Sequence, residues 1–92
     1  MQKRNLKKNN YYFMKVAHQK ISAVVKYLGM NRLEPFEELS FEFITYIDKP
    51  DKKILKKGRG LEKGEVISLV ATKKNMRCIR ELTKTENILY GK

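Results

Sequence analysis

The sequence predicts an α+β fold, with one amphipathic helix near the N-terminus packed on a small, mostly antiparallel sheet of three to four strands. The sheet is small enough to curl into a barrel, and a short helix is expected at the C-terminus. Two patterns predict this architecture: apolar residues recur with a helical period in the first third of the chain, and strand-like runs separated by turns fill the rest. Because 92 residues suffice for one modest core, we expect a flexible basic arm over residues 1–10 and a single domain over residues 11–92.

The N-terminal helix is predicted over residues 11–28. At about 100 degrees per residue, seven apolar side chains fall on one broad face. They are Phe13, Val16, Ala17, Ile21, Val24, Val25 and Leu28. Asn9 and Asn10 offer side-chain oxygens that cap a helix start, and Gly29 suits the left-handed conformation that often ends a helix.

Strands are predicted in the remainder of the chain. Residues 39–47 show the period of a strand with one buried face, in which one face carries Leu39, Phe41, Phe43, Thr45 and Ile47 and the other carries Ser40, Glu42, Ile44 and Tyr46. Residues 66–72 and 76–82 are expected to pair with each other as a hairpin across a short turn. In that register Val70 is buried and faces Cys78.

A second, short helix is predicted at the C-terminus. Thr83 and Glu86 have the spacing of a capping box, in which each residue satisfies a backbone N–H of the other. Apolar residues follow directly, and Gly91 then ends the helix.

The charge is large and unevenly distributed. The formal net charge is +11. Residues 1–32 hold eight basic and no acidic residues, residues 33–48 hold five acidic and no basic residues, and residues 49–92 hold thirteen basic and five acidic residues. Because such a charge destabilises a small fold by self-repulsion, it indicates a polyanionic partner.

Three basic groups are the predicted contacts to a phosphate backbone. They are Lys3, Arg4, Lys7 and Lys8 in the arm, Lys56, Lys57 and Arg59 in a glycine-containing loop, and Lys73, Lys74 and Arg77 at the hairpin turn. Tyr11 and Tyr12 adjoin the arm and are candidates for stacking on unpaired bases. Each group also has a purely structural interpretation, as a solubilising tail, an exposed connection or the cover of a core edge.

The sequence predicts no catalytic residue, metal site or cofactor. A lone Cys78 excludes an intramolecular disulfide and zinc sites built on cysteine pairs, and His18 has no neighbouring ligand in the sequence. The glycine-containing loop lacks the spacing of a nucleotide-binding P-loop. With no apolar stretch of transmembrane length and no signal-peptide pattern, we expect a cytoplasmic location.

The function that this pattern favours is binding of DNA or RNA through phosphate contacts. The charge fits both nucleic acids equally, and it leaves the oligomeric state open. The first alternative is a protein-interaction module, an inhibitor or accessory subunit, that uses the acidic and aromatic segment 36–48. The second is a small metal-independent ribonuclease in which Lys, Arg and Tyr side chains assist an in-line attack.

Overall fold

The structure is a computed structural model that describes residues 5–16, 21–47 and 62–90. Within these residues there are five strands and two short helices. They are β1 (Tyr11–Val16), β2 (Ile21–Leu33), β3 (Phe36–Tyr46), β4 (Val66–Val70), α1 (Lys73–Met76), β5 (Ile79–Glu81) and α2 (Lys84–Tyr90). All pairings are antiparallel and the strand order is β4-β3-β2-β1-β5, so that β5 closes back onto β1 as the last strand of a Greek key does.

The predicted helix over residues 11–28 is wrong, because residues 11–16 form β1 and residues 21–28 belong to β2. Residues 17–20 of this prediction lie outside the described part of the chain. The β-branched and aromatic side chains of β1 and β2 suit a pleated sheet better than a helix. The sheet accordingly has five strands instead of three to four, and the helices are small and late in the chain. Strand alternation was hidden because Ala23, Val24 and Val25 are consecutive and all fully buried.

One sheet face carries the core. We call it the core face, and the opposite one the outer face. The buried members of the core cluster are Tyr12, Met14, Ala23, Val25, Tyr27, Leu39, Phe41, Phe43, Met76 and Ile79. The rings of Tyr27 and Phe41 lie 5.4 Å apart, centroid to centroid, in a tilted arrangement that favours aromatic pairs. Val24 is also fully buried, but it pairs with Phe13 on the outer face.

Two bulges interrupt the pairing of β2 with β3. One leaves Ile44 as an extra residue in β3, and the other leaves Leu28 as an extra residue in β2. Gly29 follows the second bulge with a φ of 137°, a conformation that side-chain-bearing residues rarely adopt. The glycine predicted to end a helix therefore serves a bulge inside a strand.

The predicted hairpin of residues 66–72 with 76–82 is also wrong. β4 pairs with β3 and β5 pairs with β1, at opposite edges of the sheet. The expected turn is α1, which begins where the Thr72 hydroxyl accepts a hydrogen bond from the Asn75 N–H at 3.1 Å. Val70 accordingly pairs with Glu38 instead of Cys78, and its side chain is 38% exposed.

Residues 5–10 are bonded to the sheet. The Asn9 N–H donates to the Tyr27 carbonyl at 2.7 Å, and the Tyr27 N–H donates to the Asn10 carbonyl at 3.0 Å. The side chain of Leu6 packs against the core cluster. The predicted arm over residues 1–10 is thus anchored in its second half, and its residues 1–4 lie outside the described part of the chain.

The predicted C-terminal helix is present as α2 with its capping box. The Thr83 N–H donates to the Glu86 carboxylate at 2.8 Å, and the Glu86 N–H donates to the Thr83 hydroxyl at 3.2 Å. Ile88 and Leu89 in this helix are exposed. None of the helices among the described residues has the length and apolar character needed to span a bilayer.

Candidate nucleic-acid interface

Charged side chains are divided between the two sides of the central strand β2. We call residues 5–16 and 71–84, which contain β1, α1 and β5, the basic half, and residues 34–47 and 62–70, which contain β3 and β4, the acidic half. The basic half holds eight basic residues and one acidic residue, whereas the acidic half holds six acidic residues and one basic residue. The strand order thus gives one half of the sheet a strongly positive surface.

The cations of the basic half are all exposed. They are Lys7, Lys8, Lys15, Lys73, Lys74, Arg77, Arg80 and Lys84. The Lys15 N–H donates to the Cys78 carbonyl at 2.8 Å, which brings the end of β1 beside Arg77 and the end of α1. α1 also reaches the acidic half, because the Asn75 side chain donates to the Val70 carbonyl at 2.7 Å. These cations therefore extend along β1 and across one end of the sheet.

Arg80 differs from the other cations because it contacts both an aromatic ring and a carboxylate. Its guanidinium lies 3.8 Å from the centroid of the Phe13 ring on the outer face, a cation–π geometry. It also donates two hydrogen bonds to Glu86, at 2.8 and 3.1 Å. These bonds, with that from the Thr83 N–H, lower the pKa of the Glu86 carboxyl to about 2. Arg80 thus fastens α2 to the sheet.

A cavity of about 620 Å³ lies beside this fastening. It is lined by Asn9, Asn10, Tyr11, Lys26, Glu81, Leu82 and Asn87. Tyr11 and Lys26 are paired across β1 and β2 and are both half-buried. In the described part of the chain, the side chains of Asn9, Asn10, Tyr11 and Lys26 make no hydrogen bond or ion pair. Their polar groups are therefore available to a ligand.

No family model, curated protein or solved structure matches the chain. Across residues 5–16, 21–47 and 62–90, no three His, Cys, Asp or Glu side chains are grouped so that they could hold a metal ion. Cys78 is a free, half-buried cysteine, with its sulfur 3.6 Å from the Lys74 carbonyl oxygen.

The described residues include only half of the phosphate contacts that the sequence predicts. Of the proposed phosphate contacts, five lie in the basic half, namely Lys7, Lys8, Lys73, Lys74 and Arg77. The other five, Lys3, Arg4, Lys56, Lys57 and Arg59, lie outside the described residues. Of the two tyrosines proposed to stack on bases, Tyr12 is buried and its hydroxyl accepts from the Lys7 N–H at 2.7 Å. Tyr11 keeps an accessible ring at the cavity.

Sequence reasoning missed Lys26, Glu81 and Asn87 as cavity residues, and it read Asn9 and Asn10 as helix caps. Lys26 lies within the predicted helix over residues 11–28 but is not one of the residues of its apolar face. A strand period applied to residues 11–16 would have placed Tyr11 with Lys15 on one face and the buried Tyr12 on the other. The pairing of Tyr11 with Lys26 depends on the register of β1 with β2, which no local pattern supplies.

Proposed function

We propose that this protein binds nucleic acid, DNA or RNA, through phosphate contacts made by the basic half. One observation carries the proposal: of the eight cations in that half, seven make no ion pair with a described residue, and Arg80 alone is paired with a carboxylate. The proposal includes a cytoplasmic location, on the ground of the single cysteine.

Unpaired cations on one surface raise the free energy of the folded state by mutual repulsion. A phosphate backbone relieves this repulsion, and the counterions released from the nucleic acid favour binding further. The carboxylates of the acidic half repel the same backbone. A bound strand is therefore expected to follow β1 and α1 and to stay away from β3 and β4.

The test is to measure binding to duplex DNA, single-stranded DNA and RNA as salt is raised. If about six phosphates are neutralised, the slope of log K against log salt on a duplex is about −5, at about −0.9 for each contact. Absence of binding to all three at low salt overturns the proposal. RNA incubated with the protein in EDTA is expected to stay intact, and cleavage would favour the metal-independent ribonuclease instead.

A second candidate function is contact with another protein. Leu33 and Phe36 pair at the end of the β2–β3 hairpin and are 55% and 58% exposed. Val70 is exposed on the same outer face of β4. Exposed apolar side chains grouped in this way are typical of interaction surfaces. Of the segment 36–48 named in the sequence, Phe41 and Phe43 are buried in the core. Within this segment, the surface that remains for a partner is therefore the hairpin end at Phe36.

The protein-interaction candidate predicts a different result in the binding experiment. A Phe36→Lys variant adds a positive charge outside the basic half and removes an apolar side chain from the hairpin end. If the hairpin end is the functional surface and nucleic acid is not the partner, neither the parent nor this variant binds DNA or RNA at low salt. Nucleic-acid binding by the parent favours the first candidate.

A further inference from the structure

We infer that the cavity over Tyr11 and Lys26 binds one unpaired base of a nucleic-acid strand, and that it prefers bases with an exocyclic amino group. This inference rests on the proposed function, because the basic half supplies the phosphate contacts that bring a strand to the cavity. It adds a specific site and a preference among bases to a binding mode that by itself reads no sequence.

The size and position of the cavity suit a base. Its volume of about 620 Å³ falls within the usual range of small-ligand sites. Asn9 and Asn10 form one wall, Tyr11 of β1 and Lys26 of β2 form the floor, and the opposite wall consists of Glu81, Leu82 and Asn87. Both walls are fixed, one by the bonds of Asn9 and Asn10 to Tyr27 and the other by the bonds of Arg80 to Glu86. A preformed cavity avoids much of the entropy loss of ordering a loop on binding.

The floor of the cavity combines an aromatic ring with a cation. Tyr11 is half-buried on the outer face, so its ring is held by the sheet and still accessible. Stacking on such a ring is available to every base. Lys26 is its partner across the strands and carries an ammonium group suited to the phosphate of the same nucleotide. Glu42 faces Lys26 on β3, but the two form no ion pair.

The polar lining of the cavity distinguishes bases that carry an exocyclic amino group from those that do not. Asn9, Asn10 and Asn87 carry carboxamides, which donate and accept hydrogen bonds. Glu81 carries a carboxylate, which only accepts. An amino group on cytosine, adenine or guanine donates to this carboxylate, whereas thymine and uracil place a carbonyl oxygen where cytosine has its amino group. The same carboxylate repels phosphate, so the base lies towards Glu81 and its phosphate lies towards Lys26.

A base in a duplex cannot enter this cavity, because its Watson–Crick edge is already paired and it is stacked between neighbours. Single strands meet neither obstacle. The inference therefore predicts a single-strand preference that phosphate contacts alone would not produce.

The experiment measures binding of fluorescent oligodeoxycytidine and oligodeoxythymidine of equal length, at neutral pH and about 0.1 M salt. The two strands have the same charge and differ at the amino group of the base. We expect the parent to bind oligodeoxycytidine about tenfold more tightly. The Glu81→Gln variant is expected to lose most of this preference, because its amide donates as well as accepts.

Tyr11 variants test the stacking step. Tyr11→Ala is expected to weaken binding of both strands about tenfold, and Tyr11→Phe is expected to retain parental binding because the ring remains. Phe36→Ala is the matched control: it removes an exposed ring from the acidic half and should leave both affinities unchanged. Thermal melting of each variant separates loss of the site from loss of the fold.

The outcomes distinguish this inference from the proposed function. Equal affinities for the two strands, with folded Tyr11→Ala binding like the parent, would overturn the cavity site while phosphate binding stands. Absence of binding by the parent to either strand at low salt would overturn both. A cytidine preference that persists in Glu81→Gln would overturn the role given to the carboxylate.

Discussion

In the basic half, Met14 and Ile79 pack into the same core cluster that Leu39 and Phe41 enter from the acidic half. The two halves therefore depend on one core, yet their surfaces differ. One presents cations with few carboxylates, and the other presents carboxylates with exposed apolar side chains such as Phe36. Surface residues can therefore be changed on either side of the sheet without altering the core. Stability and binding should accordingly respond to different residues.

The largest expected effect on stability comes from a substitution in the core, which the two halves share. Phe41 is fully buried and packs against the tilted ring of Tyr27, so Phe41→Ala leaves a cavity in the core. We expect a loss of about 3–5 kcal/mol in the free energy of unfolding, measured by denaturant titration. Phe36→Ala on the same strand is the control and should change stability by less than about 0.5 kcal/mol. Equal losses in the two variants would mean that β3 does not bury the face described.

A smaller loss of stability is expected at the second bulge of β2, beside Gly29. Gly29 has a φ of 137° and open space around the position of a Cβ atom, so Gly29→Ala introduces backbone strain without a clash. The expected destabilisation is about 1–3 kcal/mol by thermal or chemical unfolding. Ser40→Ala, at the residue paired with Gly29, serves as the control. A stability unchanged by Gly29→Ala would argue against the bulge.

The smallest expected effect on stability lies at the fastening of α2 to the basic half. The folded pKa of Glu86 is about 2, below the ordinary value of 4.5, so the Arg80–Glu86 pair stabilises the fold above that ordinary value. This contribution is lost as pH falls from 4.5 towards 2. Glu86→Gln should remove it and flatten the acid dependence of stability over that window, by about 1 kcal/mol at most for a surface pair.

A double-mutant cycle checks this assignment. Arg80→Gln and Glu86→Gln should not add, because each removes the same pair. Additive effects of the two substitutions, or an acid dependence that Glu86→Gln leaves unchanged, would contradict the fastening of α2 by this pair.

Parts of the fold could be predicted from local patterns. The alternation of residues 39–47 identified most of β3, and the capping box of Thr83 and Glu86 identified α2. Residues 11–28 misled because their apolar side chains fit a helical face, while residues 23–25 are buried on both faces of the sheet and show no alternation. Period alone does not decide between these structures for such a run.

Partners in a sheet are harder to predict than strands. The pattern of residues 66–72 and 76–82 indicated two strands but not that they lie at opposite edges of the sheet. The cations themselves could likewise be identified from the sequence. That they lie in a different half of the sheet from the carboxylates depends on the strand order. The cavity could not be predicted for the same reason, because Lys26 and Glu81 lie near Tyr11 only when β2 and β5 pair with β1.

Under the proposed function, the position of the charge, and not its total, determines binding. Two variants with the same loss of net charge separate these effects. Lys15→Gln, Lys74→Gln and Arg77→Gln together remove three positive charges from the basic half. Lys63→Glu with Ser68→Glu lowers the charge by the same amount at exposed positions in the acidic half.

The decisive measurement is the salt dependence of binding to a short duplex for the parent and these two variants. A duplex reports phosphate contacts without the cavity. The expected slope is near −5 for the parent and for the acidic-half variant, and about −2 to −3 for the basic-half variant, which has lost three contacts at about −0.9 each. Equal slopes and equal affinities in the two variants would contradict binding through the basic half, because binding would then follow net charge alone.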